Sequence, residues 1–437
     1  MKDLDLRSDR EWKQPLVSAA QARPTQLAPP HRSRGRHYAL ALLLGLGLVA
    51  VLDLFTNSMP EPLYDGAFYV QMSRTGLSDS RHLAAPFAYR PAVPMLVRAL
   101  CEYTSLPVLA GYAIVTRVAA VSLLMLVFAM ASSFGAGLRG SLVIMSAAAL
   151  SLFHVKYPLY FSTLIDVEGF CLTLVATWTL LRRRYVACLL ISCLGLFFKE
   201  FLLIPAVLLV SALYLEHRRD PAHIRLPVVF GAALLVALCA LAPRVLISVS
   251  MSEQFFDPIH HPETWTRLFT LPLDFARDLN IPYSLASYWL PTLLLVTPSR
   301  ARRVWEELAE IRLLLVLYLA LMVLVSVYGG TNIMVFAAYT LPVQVVILAR
   351  LCRCETSGVE IVFMLGAVLV FNRALLPIPE LGHDQAVLNR HMDFYGGWAS
   401  RVSLATALRS LELAAYVAAA GLLRVALARR PRGSRNA

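Results

Sequence analysis

The chain has 437 residues, of which 58% are hydrophobic and only 16% charged, with a mean hydropathy of +0.63; ordinary soluble domains are about half apolar and about a quarter charged. Such an excess of apolar side chains must face lipid and excludes a soluble catalytic domain of ordinary size. The formal net charge of +12 does not mark a nucleic-acid partner, because the basic residues sit at the ends of apolar runs and form no patch interleaved with aromatics.

Residues 1–37 carry Lys2, Arg7, Arg10, Lys13, Arg23, Arg32, Arg34 and Arg36 among several prolines. That stretch is too polar and broken for a core, and it reads as a disordered cytoplasmic tail. It is also longer than the basic flank of a signal peptide, and no A-x-A-like cleavage site follows the first apolar run. From residue 38 to 428 the chain reads as one multi-spanning membrane domain. Apolar runs at 38–55, 106–131, 140–153, 165–181, 185–198 and 201–215 are followed by runs at 225–250, 283–298, 311–328, 331–350, 359–372 and 410–427. The expected architecture is an all-α polytopic membrane protein with about twelve transmembrane helices.

Alternating sides from a cytoplasmic tail puts Arg139, Arg182 to Arg184, Arg218 and Arg219, Arg300 with Arg302 and Arg303, and Arg350 with Arg353 inside, together with the basic tail at 429–437. Each inner turn is short and basic, as the positive-inside rule requires. Both ends are therefore expected in the cytoplasm and the protein in the cytoplasmic (inner) membrane. Three opposite turns are long, at 56–105, 251–282 and 373–409. They mix aromatics with charges, as in WTRLFTLPLDFARDL at 265–279, and are expected to hold helices lying in the interface.

Ionisable residues cluster at that outer boundary. Asp65, in YDGAFYVQMSR, can act as a general base toward a hydroxyl or cap the helix that begins at Gly66. Arg90, in PFAYRPAVP, has the planar fork for phosphate oxygens or anchors the interface; Arg98 reads as an anchor. In FHVKYPLYFSTLIDVEGF at 153–170, His154, Lys156, Asp166 and Glu168 interrupt a lipid-like stretch, where ionisable groups are costly and functional or paired. Asp166 and Glu168, two apart, point to different faces. Asp166 is the one expected to share a cleft with Asp65, a Lys156 salt bridge being the alternative.

In GLFFKEFLLIPAVLL, Lys199 and Glu200 lie between short apolar stretches with no room for a loop. Lys199 either faces an anionic lipid headgroup or pairs internally with Glu200 or Asp166. Arg117 and Arg244 read as helix-pairing or snorkelling residues. His260 and His261 with Glu253, Asp257 or Glu263 are weak metal candidates, as are Cys352 and Cys354, which lack a nearby His or Cys partner. Asp384, His391 and Asp393 stay ambiguous, and Glu61 and Asp79 read as loop charges. The seven cysteines lie mostly inside apolar runs and imply no disulfide framework.

With these residues in place the chain resembles the multi-spanning C-fold glycosyltransferases that use polyprenyl-phosphate sugars, a superfamily that includes lipid A aminoarabinose transferases and protein O-mannosyltransferases. Asp65 matches the acidic residue early in their first long outer loop, and Asp166 the acidic residue at the outer start of their fourth span. Lys199, Glu200 and Pro205 match a basic short-helix junction with a following proline. Departures are the lone Asp in the first loop, the lack of an arginine in GGTNIMVFAAYTLPVQ at 329–344, and no large soluble domain after the last span.

The resemblance implies Asp65 as base, Asp166 as a second carboxylate, and Lys199 with Arg90 near the lipid-linked phosphate, with Glu200, Lys156 and His154 as further donor-binding candidates. The implied reaction transfers a sugar from a polyprenyl-phosphate donor to an acceptor hydroxyl on a glycan, lipid or protein at the outer face. No cofactor is required; a divalent cation is allowed but no ligand cluster demands it. The competing readings are a secondary transporter, which also fits about twelve spans with both ends inside, and a non-catalytic flippase or assembly partner for envelope glycans.

Overall fold

The computed structural model describes residues 33–59, 61–62, 65–77, 87–250, 270–274, 278–328, 333–354, 356–381, 384–396 and 403–429. All regular elements there are helical. The chain divides at Leu40 into a short N-terminal unit, described only from residue 33, and one unit from Ala41 onward that holds every side-chain contact given below. Helix α1 (Ser33–Leu54) is followed by α2 (Asp65–Thr75), α3 (Ala92–Thr104), α4 (Val108–Ser133) and α5 (Leu138–Leu150). Then come a π-helical turn (Leu152–Lys156), α6 (Tyr157–Tyr160), α7 (Asp166–Leu181), α8 (Tyr185–Gly195), α9 (Leu203–Arg219) and α10 (Leu226–Ser250). The second half holds α11 (Asn280–Tyr288), α12 (Leu290–Leu295), α13 (Pro298–Glu307), α14 (Arg312–Tyr328), α15 (Ile333–Ala338) and α16 (Leu341–Leu351), then α17 (Gly358–Phe371), α18 (Gln385–Tyr395) and α19 (Leu404–Ala428).

Among the described residues, five helices are long and apolar enough to cross a membrane, or up to seven if each of two bent pairs counts as one span. The protein is thus a helical membrane-type chain, and the outward faces agree: Leu43, Val186, Val362 and Leu422 all stand exposed. The expectation of about twelve crossings needs shorter pieces as well. α8, α16 and α17 are apolar but have 11, 11 and 14 residues, which at 1.5 Å per residue falls short of a hydrocarbon core of about 30 Å.

Two expected spans are broken in the middle, and the breaks brace each other. Run 283–298 is interrupted at Trp289 and run 331–350 at Tyr339 and Thr340. An open helix end inside an apolar bundle leaves carbonyls and amides that protein groups must satisfy. Here Trp289 Nε1 donates to Thr340 Oγ1 at 3.0 Å, Gln344 donates to the Tyr288 carbonyl, and the Tyr318 hydroxyl donates to the Tyr339 carbonyl at 2.7 Å.

The long segments expected to carry interfacial helices contain α2, α3 and α18; most of the 251–282 segment lies outside the described residues. One helix was not expected. Residues 300–303, read as a tight basic turn, belong to α13, which Thr297 caps by accepting from the Arg300 amide at 3.2 Å and which meets α14 at 111°. Glu360 ties that end together: Arg300 grips both of its oxygens at 2.8 and 3.0 Å and Arg424 adds a contact at 3.1 Å.

α4 packs on α5 and α7, α7 on α8, and α9 on α8 and α10. Arg117 on α4 makes the helix pairing expected of it, holding Asp53 of α1 at 2.9–3.1 Å.

Candidate functional site

α2 starts at Asp65, whose carboxylate in the first turn suits the positive end of the helix. Gly66 lets this start come close to the segment before α7. A Cβ at Gly66 would lie 2.1 Å from Thr163 Oγ1, so any side chain there would have to displace Thr163. Thr116 of α4 fixes that segment by donating to the Ser162 carbonyl at 2.8 Å. One turn after Asp65, Tyr69 lies on the same helix face, and Ser73 and Tyr112 pin the far end of α2 through a 2.8 Å contact between their hydroxyls.

Arg90 precedes α3 at a point anchored by the Ala92 amide donating to the Phe197 carbonyl at 3.1 Å. Its guanidinium clasps Glu200 with two parallel bonds, Nε to Oε2 at 2.8 Å and Nη2 to Oε1 at 2.6 Å. The remaining nitrogen donates to the Tyr69 hydroxyl at 2.7 Å and stands 3.8 Å from Asp65 Oδ2. Lys199, in extended backbone between α8 and the turn of Glu200–Leu202, places Nζ 2.7 Å from Asp166 Oδ1. Its stem runs past Gly169, where a Cβ would meet Lys199 Cβ at 3.3 Å and the Tyr339 hydroxyl at 2.3 Å.

Asp65, Arg90, Asp166, Lys199 and Glu200 therefore converge from four stretches of sequence. Exposure sorts them into floor and mouth. The side chains of Arg90, Lys199 and Asp166 are 6, 7 and 8% exposed, whereas those of Asp65 and Glu200 are 35 and 54% exposed. Asp166 and Glu200 are committed to cations at 2.6–2.8 Å. Asp65 is the loosely held, reachable carboxylate. Burial raises its carboxyl from the ordinary value against the opposing pull of Lys199 and Arg90, while Asp166 and Glu200 add to the rise. The mouth thus offers a proton acceptor beside a floor with two cations, an arrangement suited to a hydroxyl nucleophile and an anionic leaving group.

Other expected residues fall elsewhere. Lys156 does not pair with Asp166: it donates to the carbonyls of Arg373 (2.8 Å) and Leu376 and lies 5.5 Å from the Phe394 ring. The carbonyls belong to the irregular turn that follows α17, where no helix bond uses them and a lysine can. His154 is buried in the bundle, with Nε2 3.2 Å from the Ala338 carbonyl and its ring edge-on to Phe170 and Tyr288. Neither joins the Asp65 cluster, to which Arg90, Lys199 and Glu200 alone of the donor-binding candidates belong. Lys199 has Asp166 as its internal partner. Glu168 is buried on another face of α7.

Arg98 pairs with Glu102 at 2.7 Å on the surface, Asp384 caps α18, His391 contacts the Pro379 carbonyl at 2.7 Å, and Asp393 accepts from Ser403 at 3.2 Å. Arg244 lies over the Tyr89 ring at 5.4 Å. His260, His261, Glu253, Asp257, Glu263 and Asp79 lie outside the described residues. Among the described residues no group of three or more His, Cys, Asp or Glu is spaced to hold a metal ion.

Two participants escaped the sequence reading. Tyr69 carried a usable signal, its i+4 spacing from Asp65; Tyr339 carried none, because its place depends on the helix break. Comparison of the chain with protein-family models, curated proteins and solved structures finds no match.

Proposed function

We propose that this chain is a membrane glycosyltransferase that moves a sugar from a polyprenyl-phosphate donor to an acceptor hydroxyl at the outer face of the membrane. In this reading the chain crosses about twelve times, the short helices pairing with the bent and broken ones to complete crossings. The observation that carries the proposal is the Asp65 carboxylate, half-open at the mouth of a cluster floored by Arg90 and Lys199. The acceptor oxygen attacks the anomeric carbon as Asp65 takes its proton. The bond from that carbon to the phosphate oxygen breaks, and the electron pair leaves with the polyprenyl phosphate. Arg90 and Lys199 stabilise the developing phosphate charge, while Asp166 positions Lys199 and Tyr69 positions Arg90.

The substrate class rests on the short motifs around Asp65, Asp166 and Lys199, which resemble those of the polyprenyl-phosphate-sugar transferases. The purified protein in proteoliposomes, given a radiolabelled polyprenyl-phosphate sugar and an envelope extract as acceptor, is expected to release polyprenyl phosphate and label the acceptor. Movement of substrate across the bilayer without any transfer would replace this reading with the transporter.

A further inference from the structure

α7 and α9 both run away from the Asp65 cluster, and at their far ends a cavity of about 560 Å³ opens between α8, α9 and α10. Its walls are apolar: Val186 and Leu189 from α8, Leu209 and Leu213 from α9, Val228 and Leu235 from α10. Both Glu200–Arg219 and Leu226–Ile247 are long and apolar enough to cross a membrane, and Val186 and Val228 stand exposed at the rim. The groove therefore opens sideways, toward the position of acyl chains. Water filling such walls is unfavourable, and a hydrocarbon chain is the neighbour at hand.

The mouth of the groove is polar and cationic. Arg183, Tyr185, Glu216 and His223 line it. Tyr185 donates to Glu216, and Arg183 is 62% exposed and only loosely attracted to that carboxylate at 3.6 Å. Asp220, the other nearby acid, accepts from the amides of Ala222 and His223 at 3.1 and 3.2 Å. Arg184, Arg218, Arg219 and Arg225 surround this end with exposed side chains. Lysine- and arginine-rich surfaces beside a membrane attract anionic headgroups.

We propose that this groove binds an anionic membrane phospholipid, its acyl chain between α8, α9 and α10 and its phosphate against Arg183 and His223, at the bundle end opposite the Asp65 cluster. Gly231 of α10 lines the groove, and a Cβ there meets nothing within 4 Å. A side chain there starts in open space within the groove and replaces a residue that weakens helices.

The test is thermal unfolding of the purified full chain in detergent with phosphatidylglycerol, phosphatidylcholine or polyprenyl phosphate added. Phosphatidylglycerol is expected to raise Tm more than phosphatidylcholine. Gly231→Trp is expected to abolish that difference while keeping the lipid-free Tm of the wild type. Arg183→Asn, which tolerates the left-handed backbone at φ 56°, is expected to remove the preference for the anionic headgroup while the fold is kept. Equal shifts with both phospholipids, an undiminished preference in Gly231→Trp, or stabilisation by polyprenyl phosphate alone would overturn the proposal.

Discussion

Arg90 holds Glu200 through a two-bonded fork at 2.8 and 2.6 Å while its third nitrogen rests on Tyr69, 3.8 Å from Asp65. One guanidinium thus couples α2 to the junction before α9. Lysine keeps the charge but loses the fork. Arg90→Lys is expected to lower stability by only about 1 kcal/mol, because Glu200 is half-exposed and screened, yet to lower kcat about 100-fold. Thermal unfolding and transfer kinetics check the two effects separately.

Asp166 and Lys199 are both buried, so removing one leaves an unpaired charge. Lys199→Met or Asp166→Leu alone is expected to cost about 3–5 kcal/mol, and the double variant to recover most of that loss without recovering transfer. A double-mutant cycle in denaturant reads the coupling. Additive single losses would show that the pair is not an energetic unit.

Gly66 is where α2 touches the Thr163 segment, and a Cβ there would stand 2.1 Å from the Thr163 Oγ1. Gly66→Ala is expected to destabilise by about 1–3 kcal/mol through overpacking and to reduce transfer by displacing Asp65. Adding Thr163→Ala to that variant removes the hydroxyl and is expected to restore part of both. Unfolding midpoints and transfer rates of the single and double variants check it.

Asp65 has its carboxyl raised by burial, which sets two signs. A base must be ionised, so activity is expected to fall on acidification through that raised value. A raised carboxyl also means that folding favours the protonated form. Its stability contribution is present at low pH and lost as pH rises through the folded-state value. Asp65→Asn is therefore expected to be more stable than wild type at neutral pH, an advantage that shrinks on acidification. Unfolding midpoints of both proteins across pH measure it.

Helical class and membrane character were legible because lipid contact forces long apolar runs, and Asp65, Arg90, Asp166 and Lys199 stood out as ionisable groups where such groups are costly. Which cation meets which carboxylate was not legible. Lys156 and Lys199 are both plausible by spacing, and the choice depends on where the end of α17 places the Arg373 and Leu376 carbonyls. Hydropathy also treats a broken run as a continuous one, so the breaks at Trp289 and Tyr339, and the place of Tyr339 beside Gly169, have no mark in it. The sharply angled helix α13 was hidden because its arginines read equally well as an inner turn.

The most direct measurement is single-turnover transfer by Asp65→Asn in proteoliposomes, with insertion and unfolding midpoint recorded on the same sample. The variant is expected to insert and fold at least as well as the wild type and to release no polyprenyl phosphate. Wild-type turnover by that variant would remove Asp65 as the base and with it the mechanism built on the cluster.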